Sequence, residues 1–188
     1  MLSLNRNFCT FAFDMNRVKR IIVWLGRLFN SRGFGIQSPT DYSFVRYVIN
    51  EHWPYYAYQQ LDELTDDWLT RKMGRLYFRL ANWRQPFMIQ KDEYEPYWKA
   101  GCRRVLLVDN PDKVELARID IHDRNLLTTI FNKVDSLSVV VIESIYQNWE
   151  LWREIEHDHR TGTTYDLYYC GIVFFDLERH KKNYKVNF

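Results

Sequence analysis

Four consecutive β-branched residues, Val139 to Ile142, stand between polar neighbours, with Ser136 and Ser138 before them and Glu143 and Ser144 after. A strand of this kind is buried on both faces at the centre of a sheet. It therefore demands a layer above and a layer below. The helix-like segment 147–158 follows it, then the apolar run 167–175 and a short alternating run, 183–188. Strand, helix, strand and closing strand make an α/β unit. In open α/β sheets a ligand sits beyond the carboxyl ends of the central strands, so Glu143 and Ser144 are the first place to look for chemistry.

At 188 residues the chain fits one compact domain. Within it, residues 1–86 read as an N-terminal helical arm and cover, and residues 87–188 as the α/β core. Aromatic residues make up 17%, and seven glycines leave little room for a phosphate-cradling loop. A net charge of +2 without a long basic run gives no support to nucleic-acid binding. Cys9, Cys102 and Cys170 are far apart and in no metal or redox spacing, so they read as buried thiols in a reducing, cytoplasmic setting.

Residues 18–29, VKRIIVWLGRLF, are too short and too charged to span a bilayer, and no signal-peptide cleavage pattern follows them. Val18, Ile21, Ile22, Leu25, Leu28 and Phe29 define an amphipathic helix with a basic far side. Its expected role is a packing arm, or a contact with a second copy or a protein partner. A membrane-surface helix is the less favoured alternative.

Ser38, Pro39 and Asp41 form a helix-start signature for a helix over 39–50. Pro54 breaks the chain before a covering turn at Tyr55, Tyr56 and Tyr58. Leu61, Leu64, Trp68, Leu69, Met73, Leu76 and Leu80 predict one long helix over 59–83, or two broken near Gly74. Next come a short strand over 87–90, a helix over 93–100 ending at Gly101, and a second strand over 104–109. Residues 116–121 alternate and read as a weaker, edge strand. Asp123 caps a helix carrying the stripe Leu126, Leu127, Ile130, Phe131 and Val134. Alternating strands and helices imply a mostly parallel sheet. The short charged turn 176–183 allows the last two strands to be antiparallel neighbours.

RGFGIQSPTDYSFVRYVI with a Tyr-rich turn, GRLYFRLANWRQP, SVVVIESIYQNWELWREIEHD, TYDLYYCGIVFFD and NYKVNF carry a resemblance. Together they resemble a group of bacterial class I S-adenosylmethionine-dependent methyltransferase-like proteins, over residues 32–188. The resemblance implies a Rossmann-like sheet whose last strand inserts antiparallel beside the one before it. It also implies a glycine-rich turn after the first strand, where the backbone approaches the cofactor. Here Lys91, Asp92, Glu93 and Tyr94 follow that strand, with no glycine until Gly101. The family's ribose-binding acid would correspond to Asp109, and the carboxylate ending its fourth parallel strand to Glu143. The span between Trp83 and Ser136 is short for a complete cofactor-binding half, as though a strand and helix were missing.

Glu143, Asp109 and Gln90 form the candidate rim, with Glu143 as base or orienter and Gln90 and Asp109 holding S-adenosylmethionine. No metal is expected: His157 and His159 point apart on a helix and lack further ligands by spacing. Cys170, in an apolar strand without a base, reads as a core residue, as do Trp149 and Trp152. Arg179, His180, Lys181 and Lys182 read as a solvated turn. The missing glycine turn favours a degenerate methyltransferase-like protein that has lost cofactor binding and catalysis and serves as a binding or assembly module. The alternative is an active methyltransferase on a small-molecule or protein acceptor.

Overall fold

The computed structural model describes residues 18–30 and 33–188; Cys9 lies outside them. A seven-stranded mixed sheet runs through the molecule in the order β2-β1-β3-β4-β6-β5-β7. Its strands are β1 (Met88–Gln90), β2 (Leu106–Val108), β3 (Val114–Asp120), β4 (Val134–Glu143), β5 (Thr164–Asp166), β6 (Cys170–Phe174) and β7 (Asn183–Lys185). The sheet is mostly parallel, and β6 runs antiparallel to both its neighbours, β4 and β5.

The helices are α1 (18–26), α2 (Pro39–Phe44), α3 (Ala57–Leu61), α4 (Trp68–Arg84), α5 (Glu95–Gly101), α6 (Arg124–Phe131) and α7 (Trp149–His157). α2 to α5 cover one face of the sheet in a core that includes Leu116, Val139 and Val141. α6 and α7 cover the other, over Ala117, Ile119, Val140 and Ile142. Strand alternation sends successive residues of β4 into different layers, which is why a continuous run of β-branched residues, all at most 1% exposed, suits this strand. Ser38 and Asp123 accept from the backbone N–H three residues on, at Asp41 and Leu126, as their cap positions require.

Several expectations need correction. Residues 116–120 of that run belong to β3, a central strand between β1 and β4 rather than an edge. Its charged residues resemble a solvent-facing edge in sequence, but Arg118 turns its cation into a carboxylate cluster at the strand ends. The helix predicted over 59–83 breaks at Asp67, not near Gly74. Asp67 caps α4 by accepting from Thr70 N, and α4 runs unbroken through Gly74. The Tyr97 ring packs so closely on Gly74 that an added Cβ would lie 2.4 Å from it.

The C-terminal strands also differ. Tyr168, at φ 74°, turns the chain between β5 and β6, and these two are the antiparallel hairpin. β7 then lies parallel to β5 on its far side rather than antiparallel to β6. The turn over 176–182 is not wholly solvated. Arg179 reaches the buried Asp41 at 2.5 Å, and Lys181 donates to Asp158 O at 2.6 Å. Tyr165 and Tyr184 donate to the same Asp41 carboxylate at 3.0 and 3.1 Å, tying α2 to β5 and β7.

α1 docks by the face expected to be outside. Arg27 forms a bidentate pair with Asp166 at 2.8 and 3.0 Å and donates to the Asp166 carbonyl at 2.9 Å. Asn187 N donates to Asn30 O at 3.0 Å. Ile22 and Phe29 on the apolar side stay 62% and 82% exposed. A guanidinium that satisfies a buried carboxylate and its backbone carbonyl together outweighs the apolar stripe in setting the orientation.

Candidate active site at the strand ends

β4 carries Glu143 to the carboxyl end of the sheet, and residues from two other elements, α4 and β3, converge on it. The Tyr77 hydroxyl of α4 donates to Glu143 Oε1, and Arg118 Nη2 of β3 donates to Oε2 at 2.5 Å. Arg118 pairs with Val141 across the parallel ladder, so Glu143 is its diagonal neighbour on the same face. The same guanidinium meets Glu93 Oε1 at 2.8 Å and lies 5.0 Å from the centre of the Tyr94 ring.

Aromatic rings fill the space beneath. Tyr77 packs on Tyr94 and Trp98, with centroids 4.6 and 4.7 Å away. Asp92 Oδ1 fixes both partners, accepting from the Tyr94 backbone N–H and from Trp98 Nε1 at 2.8 Å each. Burial pushes the Asp92 carboxyl up to about 6. Burial, reinforced by the charge of Glu143, also pushes the Tyr77 phenol well above its usual range, so it remains a hydrogen-bond donor.

The three residues predicted as one rim are not assembled as one. Glu143 belongs to the Tyr77–Arg118–Glu93 cluster. Gln90 ends β1 at the level just past Leu116, whereas β3 and β4 continue together to Asp120 and Glu143. Three further residues of strand put Glu143 about 10 Å higher. Alternation also places Gln90 with Ala117, on the opposite face of the sheet from Glu143. Asp109 follows the edge strand β2 and is exposed. The chain returns from β2 to β3 through residues 109–113 alone, a five-residue connection. Such a short return is feasible because β1 and β2 are only three residues long.

Ser144 turns the chain at φ 61°, donating through Oγ to Asp120 Oδ2 at 2.8 Å. Cys170 is fully buried beside this end of the sheet, and burial pushes its thiol well up, consistent with a core residue. Trp152 is buried and Trp149 half-buried against the α7 core. Among the described residues no group of three or more His, Cys, Asp or Glu is placed to hold a metal ion, and no helix is long and apolar enough to cross a membrane.

No family model, curated protein or solved structure matches this chain. Nothing among these comparisons identifies a methyltransferase family.

Tyr77, Trp98 and Arg118 escaped the sequence analysis, and Asp92 was singled out there only as one of the residues replacing the glycine turn. For Arg118 a signal existed: a cation inside an otherwise apolar strand needs a carboxylate within reach, and Glu143 was already placed at a strand end. For Tyr77, one aromatic among several on α4, no such signal exists.

Proposed function

We propose that this chain is a methyltransferase-like scaffold of Rossmann-like type that has lost its cofactor and works as a binding or assembly module. The observation that carries this reading is the filled mouth above β1 and β3. Where a cofactor-binding relative would hold a glycine turn, this chain has Asp92 to Tyr94, and Tyr94 is only 7% exposed. Its ring, Tyr77 and Trp98 occupy the ground beside the strand ends, and the Arg118–Glu143 pair closes it from above. A mostly parallel sheet with one antiparallel strand inserted, here β6 rather than the last strand, supports a likeness in fold class. So does the five-residue β2–β3 return, which fits a scaffold shortened by a strand and helix.

Assembly is supported by α1, whose apolar residues face away from the body that Arg27 anchors. A continuous apolar stripe on a docked helix is a contact surface for a second copy or a protein partner.

A second reading, an active methyltransferase, is favoured by one observation. Among the described residues Asp92 Oδ2 and Arg118 Nε are buried at the mouth without hydrogen-bond partners, and a bound ligand would satisfy such atoms.

Thermal melts with S-adenosylmethionine and S-adenosylhomocysteine separate the two. A ligand at about 100 times its dissociation constant stabilises by roughly 2.7 kcal/mol, which raises the midpoint by about 5 to 10 °C in a domain of this size. The expected result is no shift. A shift of that size, lost in Asp109→Ala, would overturn the degenerate reading. Light scattering on the wild type and on Leu25→Glu tests assembly: a larger species reduced to monomer by the substitution supports it, and a monomer in both removes self-association.

A further inference from the structure

A second concave region lies on the other side of α4, away from the strand-end mouth. The segment Ile49 to Tyr58 stands off from α4 and leaves a cavity of about 730 Å³ between them. Four cationic side chains of α4, Arg71, Lys72, Arg75 and Arg79, line it, and they recur at the spacing that gathers residues onto one helical face. Among the described residues of the lining the one acidic side chain is Glu51, which already accepts from Trp53 N at 2.8 Å.

The cations differ in how they are satisfied. Arg75 is neutralised by Asp62. Arg79, 7% exposed, gives its donors to Val48 O, Ile49 O and Tyr58 OH at 2.6, 3.0 and 3.2 Å. Those bonds hold the segment in place but leave the charge uncancelled. Arg71 Nη2 donates to Thr65 O at 2.7 Å, yet among the described residues its Nε has no partner and is buried, and so is Nδ2 of Asn50, also in the lining. Lys72 has no hydrogen-bond or ion-pair partner among the described residues. Its ammonium rests on the Phe188 and Trp68 rings, 4.2 and 5.1 Å from their centres. Burial and the neighbouring Arg79 charge push it down to about 8.

Buried donors without acceptors, and cations without counter-charge, are costly unless something supplies both. We propose that this cavity is a binding site for a small phosphate- or carboxylate-bearing molecule, its anionic group held by Arg71, Lys72 and Asn50. A compact oxyanion in the cavity would cancel the Lys72 charge, and a small turn of the Arg71 and Asn50 side chains toward it would give their buried Nε and Nδ2 an acceptor. The aromatic side chains of Trp53 and Tyr55 in the wall give the remainder of the molecule an apolar surface to lie on. The site stands apart from the strand-end mouth and does not depend on whether that mouth holds a cofactor.

The test is calorimetric titration of the full chain in chloride buffer near pH 7 with pyrophosphate, inorganic phosphate and citrate as separate probes. Stronger binding of the two phosphates than of citrate would assign the anion as phosphate; the reverse order would assign carboxylate. Lys72→Met and Arg71→Gln, both checked for native circular dichroism, are each expected to weaken the preferred probe roughly tenfold or more, the scale of one charge-assisted hydrogen bond. Lys99→Ala, on the exposed surface of α5, serves as the control for non-specific charge and is expected to bind as the wild type does. The proposal is overturned if no probe binds at about 10 mM, weaker than the loosest useful affinity, or if Lys72→Met and Arg71→Gln bind as tightly as the wild type. Lys72→Met keeps the aliphatic stem and gives up the ammonium with its contacts to the two rings, so the circular dichroism check separates loss of binding from loss of fold.

Discussion

The strand-end mouth and the α4 cavity, both walled in part by α4, treat charge in two ways. At the mouth every cation has its carboxylate: Arg118 holds Glu143 and Glu93, and aromatic rings occupy what space is left. In the cavity Arg75 has Asp62, but Arg79 and Arg71 find only neutral acceptors, and among the described residues Lys72 meets just the faces of two rings. Compensated and packed groups contribute to holding a fold together. Uncompensated groups around an open volume lower stability, and a protein retains them where a ligand gains by them.

The largest expected effect tests the mouth as a structural device. Glu143→Ala leaves Arg118 with only the exposed Glu93 and the Tyr77 hydroxyl with no acceptor. Removing one member of a buried pair costs about 3 to 5 kcal/mol. Denaturant unfolding should show that loss, and the double variant Arg118→Met/Glu143→Leu should recover most of it, because an apolar replacement of both partners leaves no orphaned charge. A loss below about 1 kcal/mol for Glu143→Ala would mean that water already satisfies the pair, and the contrast with the cavity would collapse.

The next effect has the opposite sign. Lys72 titrates near 8 in the folded chain against 10.5 when exposed. The folded state therefore binds fewer protons than the unfolded state between those values, and wild-type stability rises with pH across the window. Below pH 8 the full penalty is present. Lys72→Met should accordingly be more stable than the wild type by about 1 to 3 kcal/mol at pH 7, and the difference should shrink by pH 10. Equal stability at both pH values would show that the ammonium is solvated and the cavity less demanding than its lining suggests.

Much of the frame was legible before any coordinates. The β-branched run predicted β4, and the caps at Ser38 and Asp123 predicted their helices, because both signals are local: alternation into two layers, and backbone N–H groups in search of an acceptor. What was not legible depended on distant partners. β3 looked like an edge because Arg118 and Asp120 are charged, yet the groups that answer them, Glu143 and Ser144, lie 24 or 25 residues away. α1 was turned inside out by a carboxylate 139 residues along the chain. The candidate rim was undone by stagger. Gln90 and Glu143 both end strands, but sequence does not reveal that one strand stops three residues short of the other and on the other face.

Asp92 gives the smallest effect and the finest discrimination, since it belongs to the mouth and yet shares the cavity's symptom. Its Oδ1 accepts two hydrogen bonds, while its Oδ2 is buried with none. Burial holds its carboxyl near 6, above the ordinary 3.8. The folded state therefore binds more protons than the unfolded state between those values, and the penalty for a buried charge disappears as pH falls from 6 to 4. Asp92→Asn keeps the acceptor for Tyr94 N and Trp98 Nε1 but removes the ionisation. It should be more stable than the wild type by about 1 to 2 kcal/mol at pH 7, after allowance for solvent screening, and no more stable at pH 4. If instead Asp92→Asn is less stable at pH 7, the charged Oδ2 has a partner that arrives with solvent or ligand. The mouth would then join the cavity as a place that waits to be filled, and the case for an active methyltransferase would gain what the closed-mouth reading lost.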